Sequence, residues 1–172
     1  YTSKELNEPE VQALLSEAWL EAGDRTRAQA VLIDTPTNKI NRAWRRAQLA
    51  LLQDGGDEEA LREGLLALFK QTLAPDDLKA YIARFPDFDD EEAQDEALDW
   101  AEKKGSLLKA SRLFVALGQR ERAARALVNR SDEIKGAYRR DYLEIADLLQ
   151  DKHPLAAALI FRKFVEIAVS LS

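Results

Sequence analysis

Seven carboxylates fall within residues 87 to 96 of this sequence: Asp87, Asp89, Asp90, Glu91, Glu92, Asp95 and Glu96. A magnesium or calcium site would need such groups to converge across a sharp turn, and the spacing here matches no EF-hand loop. Acids in a first helical turn are favoured by the helix dipole alone, so the run reads as solvated acids, with a docking face for a basic partner as the alternative. The opposite charge gathers later, at Arg112, Arg120, Arg122, Arg125, Arg130, Arg139 and Arg140. Single-stranded nucleic acid would call for exposed aromatics between these arginines, on which bases stack. Phe114 is the one aromatic in "RLFVALGQRERAARALV" (112–128), and it holds an apolar position. The arginines therefore read as a solvated helix face. His153 is the one histidine and stands directly before Pro154, where a capping or surface role suits it. Gly55-Gly56 lacks the Lys-Ser/Thr of a phosphate loop, so it is a turn. Trp19, Trp44 and Trp100 sit at helical spacings that suit packing better than an aromatic cage. There is no cysteine, which removes disulfides, thiolate zinc sites and a cysteine nucleophile. The chain offers no triad, no metal set and no phosphate cradle. The expectation is a protein that is not an enzyme and takes no cofactor.

Composition sets the frame for those residues. Of 172 residues, 46% are hydrophobic and 33% charged, with 7 glycines and 5 prolines, a globular and helix-leaning mixture. No apolar run approaches the roughly 20 residues of a membrane span, and no basic-then-apolar leader opens the chain. Cytoplasm is the expected compartment. Methionine is absent, which points to a fragment or a processed product. The net charge of −6 is unevenly spread. Residues 1–53 balance seven acids with seven bases, 54–99 carry fifteen acids against four bases, and 100–172 carry nine acids against fourteen. Such asymmetry steers charged partners.

The elements that must hold these residues are helices. Leu14, Leu15, Ala18, Trp19 and Ala22 recur at spacings of three and four, as do Ala110, Leu113, Phe114 and Leu117. Strict alternation is absent. Glycine precedes alanine by five residues at Gly23/Ala28, Gly55/Ala60 and Gly118/Ala123. Glycine supplies the left-handed turn that ends a helix, and alanine lets the next helix approach. Phe88/Ala93 and Lys152/Ala157 keep that frame without glycine. The joints near 23–28, 55–60, 88–93, 118–123 and 152–157 predict about five antiparallel helical hairpins in one domain over 1–172. Thr37 can cap a helix running to about Gln53, Pro75 opens and Pro86 stops a short helix, and Asp89 with Glu92 forms a capping box. Ser106 and Ser131 are further cap candidates, and Pro154 opens the last helix, where Ala156, Leu159, Ile160 and Val165 read as core. The terminal "FVEIAVSLS" (164–172) reads alternatively as an exposed apolar patch.

The joint alanines step by 32, 33, 30 and 34 residues, a pitch that resembles the tetratricopeptide repeat. Nine before each alanine stand Trp19, Leu51, Phe114 and Leu148, with Arg84 breaking the pattern. Four after stand Leu32, Leu127 and Phe161, while Gly64 and Ala97 are small. Trp44 lies sixteen before Ala60, where that repeat prefers tryptophan. The resemblance implies an all-α solenoid or right-handed superhelix whose first helices line a groove. A second resemblance begins near residue 80, in "FPDFDDEEAQDEALDWA" (85–101) and "KHPLAAALIFRKF" (152–164). These landmarks are similar to an uncharacterised family of bacterial helical proteins, which implies no established activity. The expected function is a non-catalytic scaffold for a protein or peptide partner, of bacterial origin. By analogy with the repeat's groove, Arg42, Arg45, Arg46, Tyr81, Lys109, Arg112 and Tyr138 are the candidate partner-binding residues. The alternatives are a nucleic-acid-associated protein using the basic end, or a regulatory piece of a larger enzyme. Oligomeric state is not legible.

Overall fold

A computed structural model describes residues 8–33 and 40–170. Among these residues the protein is all-α. Ten helices follow in order: α1 (Pro9–Glu21), α2 (Arg25–Ile33), α3 (Arg42–Gly55), α4 (Glu58–Thr72), α5 (Pro75–Ile82), α6 (Asp90–Lys104), α7 (Leu107–Ala116), α8 (Arg120–Asn129), α9 (Arg139–Leu149) and α10 (Pro154–Ser170). Two 3₁₀ turns, Ser131–Glu133 and Gly136–Tyr138, lead into α9. Each odd-numbered helix packs on the even-numbered helix that follows, and contacts also join α1 to α3, α4 to α6, α6 to α8, α7 to α9 and α8 to α10. No helix of the described residues is long and apolar enough to cross a membrane.

The joints are built as glycine demands, with one shift. Gly23 and Gly118 take φ of +78° and +74°, a left-handed conformation that a Cβ resists. At the second hairpin the left-handed residue is Gly56 (φ +70°) and not Gly55. Gly55 ends α3, and its missing side chain has another use: a Cβ there would lie 2.0 Å from Nη2 of Arg25. Phe88, in the glycine's place at the third joint, is 96% exposed. Of the joint alanines, Ala28, Ala93, Ala123 and Ala157 are buried, while Ala60 is half-buried. Leu73 takes φ +52° between α4 and α5 and buries its side chain in compensation.

Helix ends follow local chemistry. The carboxamide of Asn41 accepts the Trp44 N–H at 2.9 Å, and the carboxylate of Asp57 accepts the Ala60 N–H at 3.1 Å. Thr37, the expected cap of α3, lies outside the described residues. Pro75 opens α5, but the helix ends at Ile82, three residues before Phe85. Arg84 and Phe85 turn their N–H groups to the carbonyls of Tyr81 and Ile82, tightening the chain ahead of Pro86. The Asp89/Glu92 capping box does not form. Asp89 is itself in a helical conformation, because its N–H and that of Asp90 already point at the Pro86 carbonyl. Ser106 makes no cap bond, and Ser131 sits inside a 3₁₀ turn.

Two cores result. The larger gathers residues from Leu49 to Phe164, with Phe69, Leu98, Phe114, Leu127, Leu149 and Ile160 fully enclosed. The smaller holds Ala13, Ala28, Leu32, Trp44, Ala47 and Leu51. Helix α3 serves both, sending Leu49 one way and Trp44, Ala47 and Leu51 the other. Two apolar faces differ from the sequence expectation. Helix α1 buries Pro9, Gln12, Ala13 and Ser16, leaving Leu14, Ala18 and Ala22 exposed. The Ser16 hydroxyl donates to the Ala28 carbonyl at 3.0 Å, so a polar residue holds the seam. In the last hairpin the buried residues are Leu149 and Ile160, one place off the repeat frame, with Leu148 and Phe161 turned outward. Val165 is also exposed, whereas Ala156 is buried and Leu159 half-buried.

Candidate protein-docking surface

Helix α4 ends in a turn that three other helices reach. Arg42 and Arg45, one turn apart in α3, point to it: the Arg42 guanidinium lies 3.4 Å from the Asp77 carboxylate, and Arg45 Nε donates to Gln71 Oε1 at 2.9 Å. Asp77, at the start of α5, is buried and also accepts the Thr72 hydroxyl at 2.6 Å. From α7, Lys109 Nζ donates to the Gln71 carbonyl at 3.2 Å. The arrangement is electrostatically sound, since a helix C-terminus carries partial negative charge that cations offset. Arg112 lies one turn along α7 from Lys109 and pairs with Asp141 of α9. Arg46 is exposed on α3.

Five of the seven candidate residues therefore lie on α3 and α7, with Arg42, Arg45 and Lys109 brought together directly. Tyr138 stands apart, half exposed in the turn before α9, beside a cleft of about 370 Å³ lined also by Ser106, Lys135 and Tyr142. Burial pushes the Tyr142 phenol up to about 12, with the charge of Glu133 adding to the effect. Tyr81 does not belong to any surface. It is 7% exposed, packs edge-on against Phe85 at 5.0 Å, and has its phenol pushed up by burial and then by the charge of Glu96. Helix α5 is short, and its Tyr81 face turns into the larger core.

The sequence reading missed the strongest polar contact in the molecule. Asp95, Asp99 and Glu102 lie on one face of α6, and α8 brings arginines to it. Arg122 donates to Asp99 at 2.5 Å and to Asp95 at 3.0 Å, while Arg125 grips both oxygens of Glu102 at 2.5 and 2.7 Å. Arg130 reaches the carbonyls of Glu102 and Gly105 at 2.8 and 2.7 Å, and also Glu133. Glu102 is buried, yet the Arg125 hydrogen bonds outweigh desolvation and hold its carboxyl below the usual range. Arg122 does the same for Asp99, and Arg130 for Glu133. The reading of these arginines as a solvated face fails for Arg122 and Arg130, which are half-buried, and holds for the exposed Arg120 and Arg139. Matched spacing was the available signal: acids at i, i+4 and i+7 on α6 against arginines three apart on α8.

The remaining candidates stay modest. His153 is half-buried, and its carbonyl accepts the Ala156 N–H at 3.1 Å at the start of α10. Among the described residues no group of three histidine or carboxylate side chains is placed to hold a metal ion. Trp44 is core, and Trp100 packs on the larger core with Lys70 Nζ 5.3 Å from its ring.

The whole chain, residues 1–172, matches the sequence model of DUF6880, a family of unknown function. It belongs to that family. No curated protein and no solved structure matches this DUF6880 chain. The arrangement at the end of α4 and the carboxylate–arginine seam between α6 and α8 thus describe a DUF6880 member directly from its own residues.

Proposed function

We propose that this DUF6880 chain is a non-catalytic adaptor of the tetratricopeptide-like kind, a cytoplasmic bacterial protein that binds an acidic segment of a protein partner. The observation that carries this reading is the set of cations at the end of α4, where Arg42 and Arg45 of α3 meet Lys109 of α7. Arg46 is exposed beside them on α3, while Arg112, further along α7, is paired with Asp141. Stacked hairpins give extended surfaces without any chemical centre, which suits recognition by charge and shape. Arg122 and Arg125 of α8 have carboxylate partners in α6, whereas Arg45 and Lys109 bond the uncharged side chain and carbonyl of Gln71, which weighs toward this reading over nucleic acid.

The test is affinity capture by the intact gene product from native lysate, with and without nuclease, read by mass spectrometry. The adaptor reading expects one or two proteins retained after nuclease by the wild type and lost from an R42E/R45E/K109E variant. Loss of the captured material on nuclease treatment would overturn it and transfer the role to the basic end of the chain.

A further inference from the structure

Helix α10 has two apolar faces and only one of them is covered. Ala156, Ala157, Ile160 and Phe164 are buried against the preceding helices. On the opposite side Leu155, Ala158, Phe161 and Val165 follow one another at spacings of three and four, so they form a single stripe. Leu155 and Val165 are 63% and 62% exposed, and Phe161 is 42% exposed. A run of large apolar side chains in water at that density marks an interaction surface.

The charges beside the stripe say what covers it. Arg162 and Glu166 sit one turn apart on its edge, bonded at 2.9 Å. One cation and one anion on the same face make that edge self-complementary under a two-fold axis: an antiparallel copy sets its Glu166 against Arg162, and its Arg162 against Glu166. A membrane surface would call for a flank rich in unpaired lysine and arginine, whereas Arg162 pairs with Glu166 and the half-buried Lys163 lies between Glu166 and Asp132. We propose that α10 pairs antiparallel with α10 of a second copy, about a two-fold axis level with Phe164, bringing Arg162 and Glu166 of each copy opposite one another. Phe161 and Val165 fall inside the overlap, while Leu155 lies beyond it. A single helix pair covers less than the roughly 800 Å² per partner of a standard interface, so the association is weak and reversible. This inference does not rest on the adaptor reading.

Sedimentation velocity of the wild-type chain up to about 100 μM is expected to show a species of twice the 19.4 kDa chain mass, in rapid exchange with monomer. V165E is expected to abolish it, and L155Q to leave it unchanged, with circular dichroism confirming that both fold. R162E and E166R should each weaken self-association about tenfold or more. An equimolar mixture of those two variants should restore it as a heterodimer, which an effect inside one helix cannot do. A wild type that stays monomeric throughout would overturn the proposal. So would a V165E dimer as tight as wild type, or a mixture that fails to recover.

Discussion

Between α1, α2 and the outer face of α3, six residues make the core, and three of them are alanine. From α6 to α10 alanine is about as common among the buried residues, but that core is much larger and also encloses Leu98, Leu113, Phe114, Leu127, Tyr142, Leu149 and Ile160. The two regions also differ in how polar groups finish the job. The first closes with a hydroxyl bond from Ser16, an exposed Asn41–Glu10 bond at 2.6 Å and an exposed Arg25–Asp54 pair at 3.7 Å, the second with three arginines on the carboxylates and carbonyls of α6. A core of six residues removes far less apolar area from water than the larger one does, so the first hairpin should open more readily than the rest. The same helical-hairpin plan therefore carries unequal local stability.

The sharpest test pairs two core truncations. Phe114→Ala should cost about 3–5 kcal/mol and lower the thermal midpoint of the entire chain. Leu32→Ala, in the smaller core, should cost about 2 kcal/mol and show by hydrogen exchange as faster opening of α1 and α2, with α7 and α8 unaffected. Equal loss of protection in α7 and α8 would break the distinction between the regions.

Next in size is Glu102→Gln, which leaves Arg125 and Arg122 without their buried carboxylate. Water reaches the Arg125 side, so about 1–2 kcal/mol is expected from chemical denaturation at neutral pH. The pH dependence has a definite sign. Glu102 is depressed below its ordinary 4.5 in the folded protein, so the unfolded chain binds protons first as pH falls. Its contribution is complete above about pH 4.5 and is lost as pH drops through the folded value. The variant should therefore show a shallower loss of stability in acid than the wild type.

Smaller effects refine the picture at single contacts. Ser16→Ala should cost about 1 kcal/mol by removing the hydroxyl tie from α1 to the Ala28 carbonyl, read from urea midpoints. Gly56→Ala should cost about 1 kcal/mol through its left-handed backbone. Gly55→Ala should be close to neutral, because the exposed Arg25 guanidinium can swing aside while the helix gains a better former. A large loss at Gly55 would mean that Arg25 is held there for more than its pairing with Asp54.

Much of this fold was written in short-range chemistry. Gly23 and Gly118 take positive φ, and Pro75 and Pro154 stand in the first turns of α5 and α10. Legibility failed where a choice depended on a distant neighbour. Leu14 and Ala18 have the right spacing for a core, but α2 meets α1 on the Ala13–Ser16 side, where small side chains allow closer approach. The frame at Ala157 was off by one for the same reason, since Ala156 and Ala157 are both small enough to be buried. Tyr81 looked like a surface residue because its burial is decided by α4 and α6, far along the chain. The cations Arg42, Arg45 and Lys109 were picked by analogy, while Gln71, which Arg45 and Lys109 share, and Asp77, which holds Arg42, carried no signal of their own. Asp99 and Glu102 went unremarked because their partners lie about twenty residues away, across a hairpin.

The divided loyalty of α3 has a mechanical consequence. With Leu49 in one core and Trp44, Ala47 and Leu51 in the other, this helix is the boundary at which a pull on the N-terminal end changes character. Force applied there would peel α2 and α1 from a small contact at low load. It would then halt at α3, whose inner face is keyed into the larger body. In an optical trap the chain should yield in two steps of unequal height, the lower one about two helices long.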